Sequence, residues 1–174
     1  MRGVVSGVLT GAEAGFSLDR LCRRLESFVP DAAAWVGLEA LLQHRLDQLP
    51  QPGGGATLQR WQALAAVAQH DLSLAKLYEG HTDASAIFAE LGSREGVAPG
   101  QTWGVWAAEA PGGRTRIEPA AHGRVSLHGV KLWCSGAASL SHGLLTAWHS
   151  DGRGHATGAR GNGSARGQRQ RALA

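Results

Sequence analysis

The feature that most constrains the fold of this chain is a change in hydrophobic period near residue 100. Before that point, leucine and alanine recur at three- and four-residue steps, which is typical of amphipathic helices. Beyond it, short β-branched or aromatic segments alternate with glycine-containing turns, which is typical of strands. Helices followed by a run of strands predict an α+β protein, with an antiparallel helical bundle followed by a partial β-sheet or barrel domain.

Four helices are predicted in the first half. Ser17 is suited to cap the first helix, Asp31 the second and Thr57 the third, because their side chains can accept a hydrogen bond from a free backbone N–H. The fourth helix is predicted from His81 to Leu91. The residues expected to face the core from the second and third helices are Trp35, Leu38, Leu42, Leu46 and Leu49, and then Leu58, Trp61, Leu64, Ala68 and Leu72.

The second half predicts five strands and a tail. His128 and Gly129 are expected to form a tight turn that joins the third and fourth strands into a hairpin. The organisation is then a helical N-terminal domain at 1–98, an incomplete middle β-domain at 99–148 and a Gly/Arg-rich tail at 149–174. The predicted strands are Thr102–Glu109, Arg114–Pro119, Gly123–Leu127, Val130–Cys134 and Leu144–Trp148.

The basic character of the chain comes from its tail. Residues 151–174 contain five arginines and one acid, which leaves 12 basic and 13 acidic residues in 1–150. The body is therefore close to neutral, which argues against nucleic acid as its partner. We expect the tail to be disordered, because it is rich in glycine and arginine and has almost no apolar residue to bury.

The other composition signals exclude several classes of site. Cys22 and Cys134 are too few and too far apart for a disulfide framework or a zinc site, and the histidines have no metal-ligand spacing. The N-terminus has no convincing export signal, and no apolar run approaches the roughly 18 residues that a membrane span requires. These observations predict a cytoplasmic protein with reduced thiols, no metal and no membrane partner.

Three stretches between Trp61 and Trp148 resemble the acyl-CoA dehydrogenase family. Ala63–Leu91 resembles the last N-terminal helices of that family. Trp103–Gly113, WGVWAAEAPGG, is similar to a strand and turn that cover the flavin. Leu127–Ala137, LHGVKLWCSGA, is the most specific stretch, because five residue types fall at the spacing of Leu-x-Gly-x-Lys-x-Trp-x-Ser/Thr. The resemblance covers about half of the chain.

The resemblance implies a flavoprotein that binds FAD. An isoalloxazine ring is flat and apolar with a polar rim, so it needs both an aromatic face and hydrogen-bonding groups. Glu109, by contrast, is interpreted as a solvated strand-end carboxylate, and Lys131 as an exposed strand residue. The residues that the resemblance places at the cofactor are Trp106, Ala107 and Ala108 on the first predicted strand, and Trp133, Cys134 and Ser135 in the Leu127–Ala137 stretch. The alternative for Trp106 and Trp133 is an ordinary core position.

The family reaction is the α,β-dehydrogenation of an acyl-CoA thioester, with electron-transfer flavoprotein as the electron acceptor. Its members are usually homo-oligomers, and their catalytic carboxylate lies in a C-terminal helical domain. Nothing after Trp148 resembles that domain, so the sequence predicts a truncated chain, inactive alone and without a catalytic residue. Ala108 also stands where the family usually has threonine.

Two further hypotheses concern the tail. Its composition resembles the out-of-frame translation of a GC-rich gene, so we expect a frameshift or an artificial gene end after residue 148. The alternative function is a non-enzymatic helical protein whose basic tail binds protein or RNA.

Overall fold

The computed structural model describes residues 15–29, 32–93, 96–112, 114–121 and 124–149, and the backbone of 154–160 and 169–170. Over these residues the protein has the predicted α+β fold, with helices first and a mixed sheet after them. No helix in this part of the chain has both the length and the apolar character needed to cross a membrane. The elements are α1 (Leu18–Glu26), α2 (Ala34–Gln43), α3 (Thr57–His70), α4 (Leu72–Glu90), β1 (Trp103–Trp106), β2 (Thr115–Pro119), β3 (Val125–Gly129), β4 (His142–Trp148), β5 (Gly154–Arg160) and β6 (Arg169–Gln170).

Helix α4 is the centre of the helical part, since it contacts α2, α3 and strand β1. It begins nine residues earlier than the sequence predicted. The reason is Asp71, whose side chain accepts a 2.6 Å hydrogen bond from the backbone N–H of Leu74 and so caps the helix. The helix ends at Glu90, close to the predicted end at Leu91.

The other helix predictions are partly right. Ser17 caps α1 as expected, accepting a hydrogen bond from the Arg20 N–H. Helix α2 follows Ala33, which makes no side-chain cap, while Asp31 lies outside the described residues. Helix α3 starts at Thr57 itself, after Ala56 in the cap position.

The predicted core face of α3 is only partly right, since Leu64 packs against the core but other members do not. Leu58 and Trp61 are exposed, and Arg60, Ala63 and Val67 are buried instead. The burial of a charged residue is possible here because Arg60 is paired. Its guanidinium lies 2.7 Å from Asp83 Oδ1 and donates to the Pro50 carbonyl at 3.1 Å. On the neighbouring helices, the predicted core residues Trp35 and Leu72 are exposed, whereas Leu38, Leu46 and Leu49 are buried.

The segment between α2 and α3 is irregular and is held by buried polar side chains. The hydroxyl of Tyr78 donates a 2.5 Å hydrogen bond to the Leu46 carbonyl. His81 reaches Asp47 in the same segment, and Arg60 reaches Pro50 at its end. Burial, followed by the nearby Asp47 carboxylate, raises the pKa of Tyr78 above its usual range, which favours the neutral phenol that the hydrogen bond needs.

Strand β4 organises the sheet. It pairs in parallel with β1 from His142 to Leu145, and its last residue, Trp148, pairs in parallel with Arg116 of β2. Strand β3 pairs antiparallel with β2, and β5 pairs antiparallel with all of β4. The sheet order is therefore β1-β4-β2-β3-β6, with β5 alongside β4.

The two faces of the sheet bury different clusters. On one face, Trp103 and Leu144 pack with Ala84 and Phe88 of α4, and the Trp103 and Phe88 rings meet edge to face at 4.9 Å. On the other face, the buried residues are Ile117, Leu145 and Ala147. Because α4 lies against β1, the helical part fixes the position of the strand that carries the first predicted cofactor stretch.

Two predictions about the β half are corrected. Val130–Cys134 is not a strand, and β3 runs through Gly129 while paired with β2, so the hairpin centred on His128 and Gly129 is wrong. The expected disorder of the tail does not hold for the backbone of Gly154–Arg160 and Arg169–Gln170, which forms strands. The remaining tail residues after His149 lie outside the described part of the chain.

Candidate functional site

The first predicted cofactor stretch begins with Trp106, the last residue of β1. Its ring lies directly over Gly104 and Gly143, which are paired across β1 and β4. A Cβ built at Gly143 would stand 2.1 Å from the Trp106 ring, so the ring fits only because both positions lack side chains. The half-buried ring thereby joins the helical core to the second face of the sheet.

The same indole connects the two predicted stretches. Trp106 Nε1 donates a 3.1 Å hydrogen bond to the backbone carbonyl of Ser135, 29 residues further along the chain. The neighbours of Trp106, Ala107 and Ala108, are exposed, as are Trp133 and the Ser135 side chain. The structure therefore brings the stretches around Trp106 and Ser135 together, although by a contact other than the predicted hairpin.

A second contact between the stretches is an ion pair. Lys131 Nζ lies 2.7 Å from Glu109 Oε1 and donates to Thr146 Oγ1 at 2.7 Å. Thr146 donates to the same carboxylate at 2.6 Å, and Trp148 Nε1 donates to its other oxygen at 3.3 Å. The Lys131 side chain is only 7% exposed, so its interpretation as an exposed strand residue is wrong. Glu109 is exposed, as predicted for a solvated carboxylate, but it also accepts hydrogen bonds from Lys131, Thr146 and Trp148.

The donors around Glu109 favour its charged form. Together they lower the pKa of Glu109 to about 2. The largest cause of this shift is the hydrogen bond from Lys131, followed by that from Thr146, and Trp148 contributes less. A carboxylate with so low a pKa is a poor proton acceptor near neutral pH. Glu109 therefore holds Lys131 and its loop, and it is unsuited to act as a general base.

Residues 130–133, here named the apolar loop, follow β3 directly. Val130, Leu132 and Trp133 are all exposed, with Trp133 at 68%. Trp133 also has a φ of 58°, a left-handed backbone conformation that is uncommon for a residue with a bulky side chain. Such strain is concentrated at functional sites, where the surrounding contacts maintain it. Here the contacts of Lys131, two residues earlier, hold the backbone of the loop in place.

Cys134 and Ser135 complete the second stretch. The Cys134 thiol donates to the Lys131 carbonyl, with an S–O distance of 3.3 Å, and desolvation raises its pKa, with Lys131 opposing that change. The thiol is therefore committed to its own loop and is a weak nucleophile. The Ser135 hydroxyl makes no hydrogen bond to any residue in the described ranges, so it is free to bond to a ligand.

The six predicted contact residues thus have different environments. Trp106 is a scaffold residue beneath the site, and Ala107, Ala108, Trp133 and Ser135 are exposed around it. Sequence reasoning missed the network of Glu109, Lys131, Thr146 and Trp148. The available signal was that each motif stretch carries one charge, and that the two charges have opposite sign. Contact with a cofactor stays a prediction for all six residues.

The fold of the helices and the open mixed sheet also occurs among solved structures. Two solved structures share it: FMN-bound TdsC from Paenibacillus sp. A11-2, with 21% identity and a TM-score of 0.55, and the methanesulfinate monooxygenase MsuC from Pseudomonas fluorescens, with 19% identity and a TM-score of 0.52. Both likenesses cover 83% of this chain but only 44% and 40% of the neighbours. No protein-family model matches the sequence, and no curated protein is similar to it in sequence.

Proposed function

We propose that this chain forms the flavin-contacting part of an acyl-CoA dehydrogenase-like oxidoreductase. The observation that carries the proposal is the double contact between its two motif stretches. Trp106 meets Ser135, and Glu109 meets Lys131, although more than twenty residues separate the partners in each pair. A fold shared with FMN-bound TdsC supports the same reading. These contacts place an exposed indole and an uncommitted hydroxyl on one loop, which is the combination that a flat apolar ring with a polar rim requires.

The residues present fit a flavin on chemical grounds. The Trp133 indole supplies an apolar face for stacking, and the Ser135 hydroxyl can hydrogen-bond to the ring edge. Ala107 and Ala108 have side chains small enough to let the ring approach the backbone of the segment after β1. Trp106 acts from below by holding the Ser135 backbone. A bound flavin supplies two-electron redox chemistry, which the side chains named here do not provide themselves.

The proposal also concerns which flavin is bound and which reaction is catalysed. The motif resemblance favours FAD, an acyl-CoA substrate and electron-transfer flavoprotein as the partner, in the cytoplasm. The neighbours favour FMN, which TdsC binds, and monooxygenation, which the name of MsuC states. Since the chain spans less than half of either neighbour, substrate and reaction belong to the whole protein. Glu109 is not the base in either case, because its pKa is about 2.

The test is flavin binding by the purified chain. FMN, FAD and riboflavin are titrated separately against the protein, and quenching of flavin fluorescence gives each Kd. Trp133→Ala is expected to raise the Kd about tenfold, equivalent to about 1.4 kcal/mol of lost stacking. Trp61→Ala is the matched control, because Trp61 is similarly exposed, at 64%, but lies on α3. Saturable binding that both substitutions weaken equally would refute the site.

The outcome with no flavin also has a defined meaning. A colourless protein that takes up none of the three flavins refutes the proposal. If such a protein binds RNA with an affinity that falls steeply as the salt concentration rises, the result supports the alternative of a basic RNA-binding chain.

A further inference from the structure

A cleft in the helical part of the molecule lies away from the flavin-contacting residues. It has a volume of about 690 Å³ and is bounded by α2, the segment after it and the loop that enters β1. Thr102, which precedes β1, is in its wall, whereas the proposed flavin contacts follow the other end of that strand. The cleft is therefore a separate site. The lining residues that matter here are Glu39, Leu42, Arg45, Asp47, His81 and Val97.

His81 lies in the lining of the cleft, and its hydrogen bonds determine which of its ring nitrogens carries the proton. The side chain is fully buried, and its Nδ1 accepts a 3.2 Å hydrogen bond from the backbone N–H of Trp103. A ring nitrogen that accepts carries no proton, so the proton of the neutral ring lies on Nε2. Nε2 faces Asp47 Oδ2 at 3.4 Å and donates to it. His81 therefore orients the Asp47 carboxylate without neutralising its charge.

Asp47 has no cationic partner in the part of the chain that the structure describes. Its side chain is only 18% exposed, and within the described ranges no lysine or arginine forms an ion pair with it. Arg45 also lines the cleft and keeps its own charge, because the group to which its guanidinium donates at 3.4 Å is the neutral amide of Gln48. Glu39 adds a second carboxylate to the lining. A largely buried carboxylate is unfavourable unless it is paired, so this wall of the cleft is complementary to a positive charge.

The remaining walls define the body of the ligand. Leu42 and Val97 offer apolar surface in the lining of the same cleft. No group of three metal-ligating side chains occurs in the described part of the chain, which argues against a bare metal ion as the occupant. We propose that the cleft binds a small organic amine, with its ammonium group donating to Asp47 and its apolar body lying against Leu42 and Val97. Clefts that combine apolar walls with a few convergent polar groups are the usual form of small-molecule sites.

The proposal is tested by calorimetric titration of the full chain with benzylamine, and with benzyl alcohol as the uncharged probe of the same shape. Benzylamine is expected to bind saturably and benzyl alcohol at least tenfold more weakly. Asp47→Asn should weaken benzylamine binding by about tenfold or more, because a charge-assisted hydrogen bond is lost. Asp19→Asn, at an exposed acid on α1, is the control and should leave binding unchanged.

A second variant keeps the test decisive if Asp47→Asn fails to fold. Pro99→Trp places a large side chain at an exposed position in the cleft wall and leaves Asp47 and His81 in place. It should abolish benzylamine binding while the circular dichroism spectrum stays that of the parent protein. Equal affinity for the amine and the alcohol, or full binding by a folded Pro99→Trp variant, overturns the proposal. Flavin binding is measured in parallel and is independent of either result.

Discussion

Lys131 Nζ and Glu109 Oε1 lie 2.7 Å apart, although 22 residues separate them in the sequence. This ion pair joins the loop after β3 to the segment after β1, and Thr146 of β4 bonds to both partners. The ion pair therefore fixes the apolar loop, and Trp133 at the end of that loop is exposed to solvent. The network that stabilises the fold at this point therefore also positions the exposed indole of Trp133.

The first prediction concerns acid stability. Because the pKa of Glu109 is lowered from 4.5 to about 2 in the folded protein, its contribution is complete above pH 4.5. Between about pH 4.5 and about pH 2, the Glu109 carboxylate takes up a proton more readily in the unfolded chain than in the folded protein. The free energy of unfolding therefore falls as the pH is lowered through this range. Urea unfolding across this window should show a steeper fall for the parent protein than for Glu109→Gln.

The control for that series is Glu26→Gln, at an exposed position on α1. Its unfolding midpoints should follow those of the parent protein at every pH. If the Glu109→Gln and parent midpoints fall in parallel between pH 4.5 and pH 2, Glu109 does not carry the effect.

The second prediction concerns the glycines beneath Trp106. Gly143→Ala would place a methyl group 2.1 Å from the Trp106 ring, so the ring must move and the hydrogen bond to Ser135 is strained. Overpacking of this kind costs about 1–3 kcal/mol of unfolding free energy. Urea denaturation measures the loss. Gly15→Ala, where a Cβ meets nothing within 4 Å, is the matched control, and an equal effect at both positions would contradict this account.

Local signals allowed much of the fold to be predicted from sequence. Ser17 caps α1 because a cap needs only residues three apart, and the same local chemistry at Asp71 starts α4. The core face of α3 could not be predicted by apolar spacing alone. Arg60 is buried there because Asp83, 23 residues away, neutralises it. That pairing depends on how α3 lies against α4, which the pattern along one helix does not contain.

The candidate site also has one part that the sequence predicted and another part that it could not predict. Its two stretches could be identified from residue types and spacing, but the β-branched and aromatic content of Val130–Cys134 predicted a strand that does not form. The structure turns that segment into a loop anchored by Lys131 and by the Ser135 carbonyl. The parallel pairing of β1 with β4, separated by about forty residues, creates both anchors. Such long-range pairing is set by tertiary contacts and leaves no local sequence pattern.

The third prediction concerns Tyr78. Its buried hydroxyl donates to the Leu46 carbonyl at 2.5 Å, and Tyr78→Phe leaves that carbonyl without its donor while preserving the packing of the ring. The expected loss of unfolding free energy is about 1–3 kcal/mol. Urea denaturation followed by far-ultraviolet circular dichroism gives the value. Leu91→Ala, at an exposed site just after α4, should change stability by less than about 0.5 kcal/mol. A Tyr78→Phe effect no larger than that of the control would exclude a structural role for this bond.

The last prediction uses Cys134 to locate the flavin without measuring activity. The thiol lies between Trp133 and Ser135, and desolvation raises its pKa, so its alkylation rate should be slow and should rise with pH beyond the range of an ordinary thiol. A flavin stacked on Trp133 should slow this reaction further by covering the loop. Cys22 on α1 serves as the internal control, because it lies on the helical part and should react at the same rate with and without flavin. Iodoacetamide labelling read by mass spectrometry gives both rates in one sample. Equal protection of the two thiols would indicate general stabilisation, and no protection of Cys134 at saturating flavin would place the cofactor away from the apolar loop.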